Sequence, residues 1–236
     1  MESRTEKLIL AIPAILGDKP PLVVNGSPNG VSNELIWELS QSCGKVVAVD
    51  SGLNWVLSAG VFPDIIVGDM DSVSRNMVDA CMANGSEVVE VDAVDKDVTD
   101  LELALGHLKK SGFTSAVVTN FRGARIDHEM VSIGSMARSG MHVLAIDEEY
   151  ALLFLCKVPP EDFPTVTLSD LGLEVGDEYS IVALCGPARV TQIGVMYPQN
   201  MGTIEPLSGL GVSNVVEEPD AYVRLWKGLL AVVLQL

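Results

Sequence analysis

Two carboxylates two residues apart, Asp69 and Asp71, stand near the end of the stretch Phe62-Pro-Asp-Ile-Ile-Val-Gly-Asp-Met-Asp-Ser72. Their oxygens can reach one small volume, a donor set suited to a hard cation such as Mg²⁺ that also holds phosphates. The same residue types make ordinary surface turns, so the weight falls on what accompanies them. Thr99-Asp-Leu-Glu102 has capping-box spacing. With Thr99 as N-cap, Asp97 sits just before a helix and Asp100 within its first turn, where a metal or the helix N–H groups could offset their repulsion. Acidic residues that merely decorate a helix start are the plain alternative. Arg122-Gly-Ala-Arg-Ile-Asp-His128 adds two guanidinium groups and Asp127 in a chain poor in cations. Arg125 there is suited to clamp a phosphate with a planar fork of donors. His128 reads as a structural hydrogen bonder, the commoner role for a lone histidine.

These residues need elements to hold them. Ile65 to Val67 is a β-branched run too short for a helix, and Gly68 frees the backbone to turn after it. Leu22 to Val24, Lys45 to Val49, Glu87 to Val91, Ser115 to Thr119 and His142 to Ile146 read as further strands. Between them lie helical stripes. Ser32 caps one with Ile36, Leu39 and Cys43 on its face, and Leu53 to Ala59 forms a short second one closed by Gly60. Val73, Met77, Ala80 and Asn84 mark a third, and Leu101, Ala104, Leu105 and Leu108 a fourth. A fifth runs from about Ile126 to Arg138. Alternation at this spacing predicts an α/β fold, a mostly parallel sheet flanked by helices. Its strands end in Asn25, Asp50, Asp69, Asp92, Asn120 and Asp147, at the edge where open α/β sheets bind ligands. From Tyr150 the stripes give way to short β runs, predicting a smaller antiparallel β domain. The boundary is set at 1–147 and 148–236.

With 15 lysines and arginines against 32 acidic residues, the net charge of −17 disfavours nucleic acid and anionic membranes as partners. An anionic substrate would need metal ions and a few placed arginines. The four cysteines are scattered with no CxxC, which argues against a zinc site or disulfide framework and predicts reduced thiols in the cytoplasm. The apolar run Leu8 to Leu16 lacks the positive leading segment of a signal peptide. No stretch approaches a membrane span, so a soluble protein is expected.

Gly68-Asp-Met-Asp-Ser72, Asp95-Lys-Asp-Val-Thr-Asp-Leu-Glu102 and Gly123-Ala-Arg-Ile-Asp-His128 resemble the acidic and arginine motifs of thiamine pyrophosphokinases, in the same order. Asn25-Gly26, Asp50-Ser-Gly-Leu-Asn54, Gly194-Val-Met-Tyr-Pro198 and Gly211-Val-Ser-Asn214 extend the resemblance from about residue 22 to the C-terminus. It implies that the β domain is a sandwich that binds thiamine and dimerises, and that the first domain binds Mg²⁺ and ATP. The implied activity is transfer of the pyrophosphoryl group of ATP to thiamine, giving thiamine diphosphate and AMP.

The implied metal residues are Asp71 and Asp100 with Asp69; Asp97 and Asp127 complete the acidic site, and Asp71 or Asp97 takes the hydroxyl proton. The implied nucleotide contacts are Asn25, Asp50, Gly52, Asn54, Asp69, Thr99 and Arg125. Tyr197 stacks on thiamine, with Ser213 and Asn214 nearby, in a homodimer whose sites are shared between subunits. Ser51, Lys96, Leu103 and Ala124 depart from the residues usual in that family.

Two other readings stay open. Asp69-Met-Asp-Ser-Val73 also fits the nucleophile loop of haloacid-dehalogenase-like phosphatases, with Asp69 attacking phosphorus. That chemistry needs a lysine between its later motifs, and residues 120 to 147 contain none. The other is a binding relative that keeps the pocket without turnover.

Overall fold

The structure is a computed structural model that describes residues 3–90, 98–158 and 163–236. In chain order the elements of the first half are α1 (Arg4–Leu16), β1 (Leu22–Val24), α2 (Asn33–Ser42), β2 (Val46–Val49), α3 (Gly52–Ser58), β3 (Ile65–Gly68), α4 (Arg75–Ala83), β4 (Glu87–Glu90), α5 (Asp100–Lys110), β5 (Ser115–Thr119), α6 (Ile126–Arg138) and β6 (His142–Ile146). The second half contributes β7 (Tyr150–Leu155), β8 (Thr165–Thr167), β9 (Glu178–Ala183), β10 (Ala188–Ile193), β11 (Gln199–Ile204), β12 (Asn214–Val215), β13 (Tyr222–Lys227) and β14 (Leu230–Gln235).

Strands β1 to β6 pair in parallel in the order β6-β5-β1-β2-β3-β4. Strands β1, β2 and β3 are apolar and buried on both sides, as a sheet covered on two faces requires, whereas edge strand β4 begins and ends in glutamate. Val24, Ala48 and Ile66 pack with Ile12, Ile36 and Leu53 of the first three helices. Val23, Val47 and Val67 point the other way, onto Leu101, Leu105 and Leu108 of α5 and Met136 of α6. Burying each such leucine contributes roughly 1.5–3 kcal/mol, so α5 is fastened firmly behind the edge that carries the acidic residues.

The sheet does not stop at residue 147. Strand β7 pairs antiparallel with β6, Val143 opposite Phe154, and β14, β9 and β12 follow in one ten-stranded sheet. A four-stranded sheet, β11-β10-β13-β8, covers that extension: Val190, Val223 and Leu225 pack with Leu153, Ile181 and Val232. The antiparallel sandwich expected for the second half is thus built with one layer continuous with the parallel sheet.

Three local readings need correction. The run Leu8 to Leu16 lies in α1, whose start is a capping box: Ser3 Oγ accepts from Glu6 N at 3.1 Å, and Glu6 Oε2 accepts from Ser3 N at 2.6 Å. Arg4 pairs with Asp177 at 2.6 Å and Lys7 with Glu174, which ties α1 to the second half. In α4 the buried residues are Val78 and Cys81, and Ala80 faces solvent, one position off the expected stripe. Strands β11 and β12 were not foreseen; the polar sequence of β11 lies largely exposed at a sheet edge.

The cysteines are free, and burial pushes the Cys43 thiol up to about 12, leaving it protonated and unreactive. Among the described residues, no helix is long and apolar enough to cross a membrane.

Candidate active site

The carboxyl ends of β1, β2, β3 and β5 converge, and the backbone there is shaped to let them do so. Gly52 opens α3 so close to β1 that a Cβ would stand 2.2 Å from the Val24 carbonyl oxygen, which makes glycine obligatory. Asp50 and Met70 hold positive φ values of 49° and 60° without being glycine. Such conformations cost of order 1 kcal/mol or more and persist where surroundings enforce them. Asp50 is held by its N–H donating to Val67 O at 2.8 Å and by Ser72 Oγ donating to Oδ1.

Asp50, Asp69 and Asp71 each offer a carboxylate oxygen, all within 4.8 Å of one another. Asp71 N donates to Asp69 Oδ1 at 3.1 Å, closing the loop on itself. Asp100, at the start of α5, is the fourth member. Burial raises its pKa first, and the charges of Asp50, Asp69 and Asp71 raise it further. That coupling places all four carboxylates in one field. Thr99 caps the helix as expected: its Oγ1 accepts from Glu102 N at 3.3 Å and its N–H donates to Glu102 Oε2 at 3.0 Å. Asp97, with Asp92, Asp95 and Lys96, lies outside the described residues.

A cavity of about 350 Å³ adjoins the cluster, lined by Asn25, Asp50, Thr99, Asp100, Asp127 and His128 among others. A second, of about 270 Å³, continues along the strand ends past Asn25, Asn120 and Arg125. Arg125 and Asp127 are exposed and paired with each other, Nη2 to Oδ2 at 2.5 Å and Nε to Oδ1 at 3.2 Å. The Arg125 guanidinium holds the Asp127 carboxyl below the usual range. Gly52 packs beneath this surface, and half-buried Asn54 sits one turn into α3.

Two residues near the groove have positioning roles that the sequence reading did not assign to them. Ser72 orients Asp50, a contact between positions far apart in the chain. Asn120, 2% exposed with φ 58°, accepts from Val31 N at 2.8 Å and so fixes the loop after β1. Arg122, the second guanidinium of its motif, is turned away from the cluster, bound to Asp147 at 2.9 Å and Glu149 at 3.0 Å.

The second-half residues lie elsewhere. Tyr197 is 62% exposed, and Ser213 is exposed with φ 54°. Asn214 is buried, its Oδ1 accepting from Tyr197 N at 3.0 Å and its Nδ2 donating to Tyr197 O at 3.2 Å. Its amide is thus engaged inside the protein and positions Tyr197. Neither cavity beside the carboxylates is lined by Tyr197, Ser213 or Asn214.

An open α/β sheet with a carboxylate-lined groove at its strand ends, extended by an antiparallel sandwich, defines the class of protein. The family model of the thiamin pyrophosphokinase catalytic domain matches residues 36–146. Sequence relatives and solved structures that carry the thiamine pyrophosphokinase name match this chain as well. Thiamine pyrophosphokinase 1 of Oryza sativa subsp. japonica is 24% identical over 164 residues, 66% of this chain and 60% of that protein. Thiamine pyrophosphokinase 2 of Arabidopsis thaliana is 30% identical over 82 residues, 32% of this chain and 30% of that protein. The matches therefore span less than two thirds of these relatives. Among solved structures, thiamine pyrophosphokinase from Bacillus subtilis superposes with a TM-score of 0.70 at 22% identity, covering 92% of this chain and 99% of that one. The Candida albicans enzyme gives 0.70 at 15% identity, covering 95% and 91%. At such identities the likeness is one of fold.

Proposed function

We propose that the protein transfers the pyrophosphoryl group of ATP to thiamine, giving thiamine diphosphate and AMP. The observation that carries this reading is the convergence of Asp50, Asp69 and Asp71 beside the half-buried Asp100, next to a cavity at the strand ends. Hard oxygen donors this close fit a divalent cation such as Mg²⁺. Mg²⁺ bound there supplies charge neutralisation for the phosphates, the main need of phosphoryl-type transfers.

The chain's own residues do the rest. Asp50, Asp69, Asp71 and Asp100 are the candidates to hold the cation, a wider set than Asp71, Asp100 and Asp69 alone. Arg125 turns its fork from Asp127 to the phosphates, and Asn25, Thr99 and the backbone at Gly52 and Asn54 line the nucleotide's path. Asp71 or Asp97 takes the proton as the thiamine hydroxyl attacks the β-phosphorus, and AMP departs.

Tyr197 is the candidate surface for stacking thiamine, with Ser213 beside it. Its absence from the lining of either cavity supports a homodimer in which one chain's Tyr197 faces another chain's carboxylates. Ile193, Met196 and Met201 expose apolar surface around it, as such an interface needs. The free thiols, three of them buried and Cys185 exposed, suit a cytoplasmic setting.

Incubation with ATP, Mg²⁺ and thiamine tests the reading. AMP and thiamine diphosphate should appear in equal amounts; ADP or free phosphate as the stoichiometric product would overturn it, the latter pointing to Asp69 as a phosphatase nucleophile.

A further inference from the structure

Between the two sheets of the second half lies a buried, mutually hydrogen-bonded polar cluster. Tyr179 on β9, Gln192 on β10 and Asn214 on β12 are 2%, 0% and 1% exposed. Tyr179 OH donates to Gln192 Oε1 at 2.6 Å, across the gap between the sheets. Asn214 Nδ2 donates to the same Gln192 oxygen at 3.3 Å. The other end of the Asn214 amide reaches Tyr197, accepting from its N–H at 3.0 Å, while Nδ2 also donates to its carbonyl at 3.2 Å.

We infer that Tyr179 and Gln192 are positioning residues for Tyr197, acting through the Asn214 amide. The inference rests on the proposed role of Tyr197 in holding thiamine.

The directions of the hydrogen bonds give the argument. An asparagine amide can face either way, and only one orientation serves both polar groups of the Tyr197 backbone. Gln192 Oε1 supports that orientation by accepting from Nδ2, as does Val215, whose N–H donates to Asn214 Oδ1 at 3.0 Å. Gln192 could itself flip, but a hydroxyl donor from Tyr179 and the Asn214 donor both demand the oxygen. Its Nε2 is left buried without a partner as a consequence. Burial raises the Tyr179 pKa, so the hydroxyl keeps its proton and remains a donor throughout the working pH range. Backbone bonds fix the neighbouring segment independently, Met196 N to Val215 O at 2.9 Å and Glu217 N to Gly194 O at 2.8 Å. What the relay adds is the final residue, whose ring projects into solvent.

The test uses the full chain carrying Tyr179→Phe and, separately, Gln192→Met, which removes the acceptor at similar length. Amide hydrogen exchange, read by NMR, should quicken about tenfold at Tyr197 while the Val190 amide between β10 and β13 stays protected. With thiamine and Mg-ATP, KM for thiamine should rise about fivefold or more, with kcat and KM for ATP within twofold of the parent. Unchanged exchange at Tyr197 in both variants would overturn the relay, as would quickening spread equally over Tyr197 and Val190, the mark of general loosening. Tyr197→Ala serves as the reference. If it leaves KM for thiamine unaltered, the role assigned to Tyr197 falls, while the exchange result still decides whether the relay holds it.

Discussion

Replacing Asp71 with asparagine keeps the side chain's size and removes one charge from the crowded strand ends. The oxygens of Asp50, Asp69 and Asp71 lie within 4.8 Å of one another. Because Asp69 and Asp71 are exposed, the dielectric of water applies, and each pair at that separation repels by ~0.9 kcal/mol. The substitution deletes two of these pairs, so metal-free Asp71→Asn protein should be more stable than the parent by ~1–2 kcal/mol at low salt. For a chain of this length that is a rise in Tm of ~2–8 °C. Mg²⁺ should reverse the ranking. At a hundred times its Kd a ligand that binds only the folded state adds ~2.7 kcal/mol, so the parent's Tm should climb while the variant's climbs far less. Thermal melts with EDTA and then with a Mg²⁺ series, in the absence of nucleotide, measure both arms. A variant less stable than the parent in EDTA, or one with an undiminished Mg²⁺ response, would refute the cluster as a cation site.

Mixing inactive Asp71→Asn subunits with Ser213→Ala, Asn214→Ala subunits should restore activity, because one site of each mixed dimer then has both halves intact; exchange without recovery would place the whole site in one chain. Thr99→Ala should cost ~1 kcal/mol through loss of the α5 cap and lower turnover by displacing Asp100, whereas Thr99→Ser should preserve both. Glu102, held below its usual pKa first by the Thr99 backbone N–H and then by Arg138, contributes stability that is present above the unfolded carboxylate pKa. That contribution should fade as pH falls through the folded value, and chemical denaturation against pH should show the acid-side loss blunted in Glu102→Gln.

How much of this was legible beforehand follows from the range over which each feature is determined. The stripe Leu101, Ala104, Leu105, Leu108 and the Thr99 cap are written within one helix, and the structure buries and caps them as read. The parallel pairing of β1 to β6 followed from alternation, and the polar strand ends from that, whereas the order of the strands in the sheet was not read. Helix α1 was overlooked although Ser3 and Glu6 carry its capping box, because the apolar run was weighed only as a targeting signal. In α4 too few positions are buried to define a stripe. Features that join distant segments were out of reach: the β6–β7 pairing, the Ser72–Asp50 bond, and the burial of Asn214 beneath Tyr197. Asp50 was assigned to the nucleotide by resemblance, and only the turn at its positive φ brings it to Asp69 and Asp71.

The order β12-β9-β14-β7 has a consequence for biosynthesis. Strand β14 sits between β7 and β9, both of which leave the ribosome before it. Until β14 arrives, two apolar edges stand open, Leu153 and Phe154 on one and Ile181 and Ala183 on the other, each a template for pairing with a neighbouring nascent chain. The parallel half has no such wait, since β1 to β6 are complete by residue 146. Vectorial synthesis would therefore yield a folded parallel half trailing an unfinished sheet, and β14, translated after both of its neighbours, acts as the wedge that locks the two halves into one.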